Sequence, residues 1–231
     1  MSGRVGRGLE VGVLSVAWAA LVIGAAVLTM LLPVYTSAMS QAVGVPATAG
    51  LPRADVLRLS SEVRSFVSGA TITPLPATWR GQPAFDEAAV SHLLDVRAVL
   101  LFARLATGIA ALVLTLYVAF CIAAHRTGRL AVGMRVGALL VAAIVVVAAL
   151  AALVDFESFF VWFHSLFFRA GTWTFPADSL LIRLFPERFW ESSGAVLAGL
   201  SVFGAGLLAV AAHPLRAGAS SASASRRGNN V

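Results

Sequence analysis

Four long apolar runs constrain what this chain can fold into. They cover residues 11–33, 98–124, 130–154 and 194–212. A helix needs about 20 apolar residues to cross the hydrocarbon core of a bilayer, and each run is long enough. Because no water is present there to hydrogen-bond a free backbone, such runs must be helical. The sequence therefore predicts an all-α membrane protein with four transmembrane helices.

Composition agrees with that class. Hydrophobic residues make up 59% of the chain and charged residues 12%, whereas a soluble domain is nearer half apolar and about a quarter charged. The net charge is +6, and no lysine is present. The arginines are scattered around the apolar runs, which favours a role in membrane orientation over a nucleic-acid partner. The single cysteine, Cys121, excludes an intramolecular disulfide and a cysteine-based metal site.

The first apolar run has an alternative interpretation as a cleaved signal peptide. The small residues Thr36-Ser37-Ala38 would serve as its cleavage site. The apolar part of a signal peptide is roughly 7–15 residues long, however, which is shorter than the run at 11–33. We therefore expect an uncleaved first transmembrane helix.

The arginines also predict the orientation of the chain. The segments 1–10, 125–129 and 213–231 are short, basic and nearly free of carboxylates, whereas 34–97 and 155–193 hold almost all the acidic residues. The positive-inside rule then places both termini in the cytoplasm and both acidic segments outside a bacterial cell membrane. The tail at 213–231 is rich in Ser, Ala, Arg and Asn, so it is expected to be disordered.

The segment between the first two spans is expected to form a small extracytoplasmic domain. Residues 54–69 carry apolar side chains at helical spacing, and the prolines and glycines of 70–85 indicate turns or short extended structure. Asp86 is expected to cap a helix that continues into the second span, because no breaker follows it. That helix would bring His92 to the outer mouth of the span.

The segment 155–193 is crowded with Phe and Trp, the side chains that concentrate at a membrane surface. We expect an aromatic interfacial loop whose first part is an interfacial helix or a re-entrant segment, broken at Gly171. Asp178 is then expected to cap a second, short helix that stops before Pro186.

Two of the four histidines fall in these outer segments. His125 and His213 lie at cytoplasmic span ends, where interfacial anchoring is the usual role. His92 and His164 lie beside carboxylates and between apolar residues. A hydrogen-bonded structural histidine is the ordinary alternative for each. Two imidazoles that meet from separate segments could instead divide acyl transfer between them, one as general base and the other as donor to an oxyanion.

Charged neighbours extend the candidate site. Asp95 lies three residues after His92, on the same helix face, where a carboxylate can fix the tautomer of an imidazole. Arg97 and Arg104 are seven residues apart and share nearly one face. Arg104 either extends to the interface or acts as a functional cation within the membrane. A metal site built from both histidines and Asp95, Asp155 or Glu157 is an alternative, but no HExxH-like spacing supports it, so no metal and no cofactor is expected.

The motifs resemble those of a family of four-span bacterial membrane proteins, the lipoprotein intramolecular transacylases. The first is His92-Leu-Leu-Asp95-Val96-Arg97 ahead of a span, with Arg97 where the family often has lysine. The second combines, in order, Asp155-Phe156, Phe163-His164-Ser165-Leu166-Phe167-Phe168, Trp173 and Leu184-Phe185-Pro186-Glu187-Arg188-Phe189-Trp190. The resemblance covers about residues 11–212.

The resemblance implies a reaction. An acyl chain would move from the sn-2 ester of a diacylglyceryl-cysteine lipoprotein to the α-amine of the same cysteine, with His92 and His164 as the catalytic pair. The partners would be membrane lipids and diacylglyceryl-modified lipoproteins. The full set of predicted site residues is His92, His164, Asp95 and Asp155 for catalysis, and Arg97, Arg104, Trp162 and Trp173 for substrate binding.

Two other functions remain open from the sequence. A scaffold protein could use the same outer domain to bind a partner without chemistry. A small transporter would need ionisable residues well inside the spans, and only Arg104 comes close.

Overall fold

The computed structural model describes residues 2–71, 75 and 78–228, with side chains for residue 6 and for 8–71, 75 and 78–215. The described elements are α1 Ser2–Met30, α2 Pro33–Ala42, α3 Val45–Thr48, α4 Arg53–Val67, β1 Thr78–Trp79, β2 Gln82–Pro83, α5 Glu87–Ala123, α6 Thr127–Val154, α7 Phe156–Ser165, α8 Leu180–Leu184 and α9 Glu187–Gly228. The two short strands pair in antiparallel fashion, with Thr78 opposite Pro83.

Four of the described helices are long and apolar enough to cross a membrane. These stretches are Gly8–Met30, Glu87–Ala123, Thr127–Val154 and Glu187–Leu215. They expose large aliphatic and aromatic side chains along most of their length, which suits a lipid solvent. The predicted class, an all-α protein with four transmembrane helices, is confirmed.

The chain divides into two compact units. The first comprises Met1–Ala26, Leu105–Val147 and Ala198–Val231, and the second comprises Val27–Arg104 and Ala148–Leu197. The first unit therefore contains stretches of all four long helices. The second contains most of the segments 34–97 and 155–193, together with the parts of the long helices that adjoin them in sequence.

In the first unit, small residues allow α6 to approach α1 closely. A Cβ atom added to Gly133 would lie 2.9 Å from Cβ of Leu14, and one added to Gly137 would lie 2.8 Å from Cβ of Trp18. The two glycines are four residues apart, which is the spacing that brings membrane helices together. The close approach at Gly133 and Gly137 was not predicted from the sequence.

A polar contact joins three helices of the same unit. The Tyr117 hydroxyl donates to Oε1 of Glu10 over 2.5 Å, and Arg129 forms an ion pair with Oε2 of Glu10 over 2.6 Å. The contact ties α1, α5 and α6 together and leaves neither oxygen of the Glu10 carboxylate without a partner.

The second unit is built around α4, the amphipathic helix predicted at 54–69. Its apolar face buries Val56, Leu59, Val63 and Phe66. These side chains share a core with residues of α8 and of the first turns of α5, among them Leu184 and Leu93. The long helix predicted after Asp86 is also present, because Oδ1 of Asp86 accepts a hydrogen bond from the backbone N–H of Ala89 over 2.8 Å.

The short helix α8 is capped by Ser179, whose hydroxyl accepts from the Ile182 N–H over 3.4 Å, so the predicted cap at Asp178 is wrong by one residue. The turns predicted for 70–85 fall partly on 72–74 and 76–77, which lie outside the described residues; the β1–β2 hairpin occupies the rest.

Helix α9 continues as helix to Gly228, which differs from the disordered tail expected over 213–231. An alanine-rich continuation of an existing helix needs no new nucleation. Residues 229–231 lie outside the described part of the chain, and the cytoplasmic location expected for this tail stays a prediction.

Candidate active site

The second unit brings His92 and His164 together. His92 lies near the start of α5, and His164 lies near the end of α7. Their ring centroids are 6.4 Å apart, with the ring planes inclined by 30°. Two segments that are distant in sequence thus deliver the two imidazoles to one place.

A hydrogen bond fixes the tautomer of the His164 ring. Its Nδ1 lies 2.9 Å from the carbonyl oxygen of Phe160, one turn earlier on α7. Because a carbonyl only accepts, Nδ1 must carry the hydrogen, and in the neutral ring the lone pair is on Nε2. Burial lowers the pKa of His164 below its ordinary value, and the hydrogen bond to Phe160 only partly opposes this. The neutral ring, with a basic Nε2, is therefore favoured at neutral pH.

His92 is buried more deeply, with 8% of its surface exposed. Its ring lies 5.0 Å from that of Phe168, edge on, and 5.6 Å from that of Phe175. Its Nδ1 is buried and has no hydrogen-bond partner within the described part of the chain. A buried polar atom without a partner is costly, so it calls for an explanation.

Trp173 presents a second buried polar atom of this kind. Its ring centroid lies 4.8 Å from that of His164. Its Nε1 is buried and likewise lacks a partner among the residues that the structure describes. An indole N–H only donates, so Trp173 brings an unused donor to the side of the His164 ring.

The two predicted catalytic carboxylates do not bind the unpaired nitrogen of His92. Asp95 is exposed, and since Nδ1 of His92 has no partner, the expected tautomer-fixing hydrogen bond is absent at that nitrogen. Asp155 caps α7, accepting from the Ser158 N–H over 3.0 Å and from the Ser158 hydroxyl over 2.6 Å. These two bonds hold the pKa of Asp155 below its usual value.

Trp162 occupies a different face of α7 from His164. It borders a groove of about 500 Å³ between α7 and the end of α6. The residues that line this groove are Leu150, Ala151, Val154, Asp155, Ser158, Phe159 and Trp162. On α7 they repeat at helical spacing, which places them away from the face that carries Phe160 and His164. The groove is therefore separate from the histidine pair.

Arg97 and Arg104, which were predicted to bind substrate, contact the C-terminal end of α4, and their substrate-binding role stays a prediction. Arg97 donates to the carbonyl of Thr71 over 3.5 Å, and its guanidinium lies 5.4 Å from the centre of the Phe66 ring. Arg104 donates to the carbonyl of Ser68.

Three aromatic residues that surround the histidine pair were not among the predicted site residues. Phe160, Phe168 and Phe175 surround the two imidazoles. In a segment with this many aromatic residues, composition gives no signal that separates them from their neighbours. The hydrogen bond of 2.9 Å between the Tyr35 hydroxyl and Ser193, which joins α2 to α9, is likewise invisible in the sequence.

Comparison with known proteins decides the family. The description of a family named lipoprotein intramolecular transacylase Lit matches residues 11–190. The chain belongs to the Lit family. The resemblance seen in the sequence motifs is thereby confirmed, and Lit is by its name a family of acyltransferases. No curated protein sequence matches the chain.

Solved structures show the same fold. The membrane-integral Lit from Bacillus cereus superposes with a TM-score of 0.78 at 16% identity, covering 90% of this chain and 95% of that one. The same protein with one histidine replaced by alanine gives a TM-score of 0.72 at 16% identity, covering 93% and 94%. At this identity the likeness shows the fold, and it identifies the present chain as a multi-pass membrane protein of the Lit type.

The capping role of Asp155 generates a prediction. Asp155→Asn keeps a good N-cap acceptor, so helix α7 and acyl transfer should both be retained. Asp155→Ala should lower the unfolding temperature and reduce acyl transfer, because loss of the cap misplaces His164. Thermal unfolding in detergent and conversion of a lipopeptide would be measured together. Glu157→Ala, in the same helical turn, is the matched control. Equal inactivity of the Asn and Ala variants would instead indicate that the negative charge itself is needed.

Proposed function

We propose that this member of the Lit family moves the sn-2 acyl chain of a diacylglyceryl-modified lipoprotein onto the α-amine of the same cysteine. The observation that carries the proposal is the pairing of two imidazoles with different surroundings, 6.4 Å apart. One has its Nδ1 occupied and its Nε2 basic, and the other keeps a buried nitrogen without a partner.

His164 serves as the general base. A cysteine α-amine has a pKa of about 8, so a share of it is neutral at neutral pH and able to attack. Once that neutral amine bonds to the ester carbonyl carbon, its nitrogen carries a positive charge and must lose a proton. Nε2 of His164 accepts that proton when the amine nitrogen bonds to the ester carbonyl carbon. The resulting imidazolium stays bonded to the carbonyl of Phe160 through Nδ1, which stabilises its positive charge.

His92 and Trp173 stabilise the tetrahedral intermediate. The attack places a negative charge on the former carbonyl oxygen, and donors already aimed at that position lower the barrier most. Nε1 of Trp173 is an unused buried donor, and Nδ1 of His92 becomes a second donor when it carries the hydrogen.

The reaction consumes no water and releases no fatty acid. When the tetrahedral intermediate collapses, the bond to the sn-2 oxygen breaks and the amide forms. The departing oxygen takes the proton from Nε2 of His164 and becomes a free hydroxyl. Base and acid are thus the same imidazole, and the enzyme ends in its starting state.

Intramolecular chemistry explains why so few groups suffice. Ester and amine belong to one substrate molecule, so holding them close supplies much of the acceleration. The aromatic rings around the imidazoles exclude water, which would otherwise hydrolyse the ester. The scaffold alternative offers no reason for two buried polar atoms without partners beside a basic imidazole.

The location follows from charge. With both termini in the cytoplasm, as the arginines indicate, the outer segments that carry His92 and His164 lie on the outer face of the membrane, where a lipoprotein N-terminus is held by its acyl chains. The apolar, lipid-facing surfaces of the long helices allow those chains to approach from the bilayer.

The test is mass spectrometry of lipoprotein N-termini. In a host that makes diacylglyceryl lipoproteins, the wild-type chain should produce the N-acyl form with a single remaining O-acyl chain. His164→Ala and His92→Ala should each abolish it. Trp173→Phe, which keeps the ring and loses the N–H, should reduce the rate about 10²-fold.

His213→Ala is the matched control, since His213 is an exposed residue of α9 and its loss should leave the product unchanged. Membrane abundance and thermal unfolding of each variant would be compared. Product formation by a well-folded His92→Ala,His164→Ala double variant would overturn the assignment of both residues and favour a structural role.

The pKa of His164 predicts the pH dependence. Only the neutral imidazole accepts a proton, and burial lowers the pKa of His164, so protonation of His164 should reduce kcat/KM only below pH 6.5 or so, the ordinary histidine value. The rate should increase towards pH 8 or so, as the α-amine loses its proton. The fall in kcat/KM caused by the amine should therefore steepen below pH 6.5, where His164 becomes protonated. A steepening that begins clearly above pH 6.5 would contradict the base assignment, because it would require a raised pKa of His164.

A further inference from the structure

Two arginines converge on the C-terminal end of α4. Arg97 and Arg104 are seven residues apart on α5 and share nearly one face. A Cβ atom added to Gly69 would lie 3.9 Å from Nη2 of Arg97 and 4.0 Å from Nη1 of Arg104. The two guanidinium groups therefore flank the same point on the surface of the second unit.

The end of α4 positions them with backbone atoms. Gly69 adopts a φ of +70°, and its N–H and that of Ala70 donate to the carbonyls of Phe66 and Ser65, each over 3.0 Å. This closes the helix with a Schellman motif. The carbonyl of Ser68 accepts from Arg104.

The carbonyl of Thr71 accepts from Arg97. The negative end of the α4 dipole favours cations at this position, and the ring of Phe66 supports one face of the Arg97 guanidinium. Both side chains are thus held in place by atoms that carry no full charge.

Among the described residues, no carboxylate forms an ion pair with either arginine. The ion pairs there join Arg58 to Asp55 and Glu62, and Arg129 to Glu10. Each guanidinium has five N–H donors arranged as a planar fork, and backbone carbonyls use only a small share of them. Two adjacent positive charges without a counter-ion favour an anion that bridges them.

Position along α5 indicates which anion. Leu105–Ala123 alone is long enough to cross the hydrocarbon core, so Arg104 is the last residue before that stretch. At ~1.5 Å per residue, Arg97 lies about 10 Å further along the helix. The headgroup layer on each side of a bilayer is roughly 5–7 Å thick. Every phospholipid has a phosphate at that level, and in an anionic phospholipid no cationic headgroup such as choline offsets its charge.

We propose that Arg97 and Arg104, held at the end of α4, bind the phosphate of an anionic membrane phospholipid. The guanidinium forks donate to the phosphate oxygens, which is a geometry that arginine suits better than lysine. The site is distinct from the histidine pair and does not depend on the acyl-transfer reaction. It differs from the substrate-binding role that the sequence suggested for these two arginines.

The experiment compares lipids in nanodiscs. The full chain would be placed in discs of phosphatidylcholine alone and in discs that also contain phosphatidylglycerol, and the shift in thermal unfolding temperature between the two would be measured. Native mass spectrometry would count the phosphatidylglycerol molecules retained. The wild type should be more stable with phosphatidylglycerol and retain that lipid, and added salt should diminish the shift.

Variants test whether Arg97 and Arg104 cause the stabilisation by phosphatidylglycerol. The Arg97→Gln,Arg104→Gln double variant should bind phosphatidylglycerol about tenfold more weakly and lose most of the shift. The matched control is Arg58→Gln, an arginine of α4 that already has Asp55 and Glu62 as partners. Because each variant is compared with itself in two lipids, a lower baseline stability does not affect the result. The single variant Arg104→Gln serves if the double variant fails to fold.

Three outcomes would overturn the proposal. The first is an undiminished shift in the double variant, and the second is an equal loss in Arg58→Gln. The third is the same stabilisation by inorganic phosphate in discs of phosphatidylcholine alone, which would make a free anion the ligand.

Discussion

The hydrogen bond from Nδ1 of His164 to the carbonyl of Phe160 is the interaction on which the proposed mechanism depends. It fixes the tautomer, and so it decides that Nε2 is the basic nitrogen. The bond exists because α7 is helical, which places His164 one turn after Phe160, and α7 begins where Asp155 caps it. A side chain that was expected to take part in the chemistry thus supports it from the other end of a helix.

Two buried polar atoms of the same site carry a free-energy cost. Nδ1 of His92 and Nε1 of Trp173 are buried without partners among the described residues, and each such atom costs about 1–3 kcal/mol. In the proposed mechanism, a substrate whose carbonyl oxygen becomes negative accepts hydrogen bonds from both groups and so recovers that cost at the transition state. This is the form of catalysis in which binding is strongest where charge develops.

Much of this architecture could be predicted from the sequence, and the failures have physical causes. The four spans follow from run length, and the cap at Asp86 follows from a local signal within one turn. The pairing of His92 with His164 followed from chemistry and orientation together. The capping bonds of Asp155 could not be predicted, because a carboxylate before a helix gives the same sequence signal whether it caps the helix or takes part in chemistry. The contacts of Arg97 and Arg104 could not be predicted either, because they are with carbonyls at the end of a helix distant in sequence. That Trp162 lies on a different face of α7 from His164 could not be predicted, because every face of α7 is apolar.

A synthetic lipopeptide can show directly whether the acyl chain moves from the sn-2 ester to the α-amine of the same molecule. The purified protein would receive a diacylglyceryl-cysteine peptide whose sn-2 acyl chain alone carries an isotope label, in discs of unlabelled lipid. The account predicts a product of unchanged mass with the label on the α-amine and a free sn-2 hydroxyl. Label released as free fatty acid, or an unlabelled chain on the amine, would contradict it.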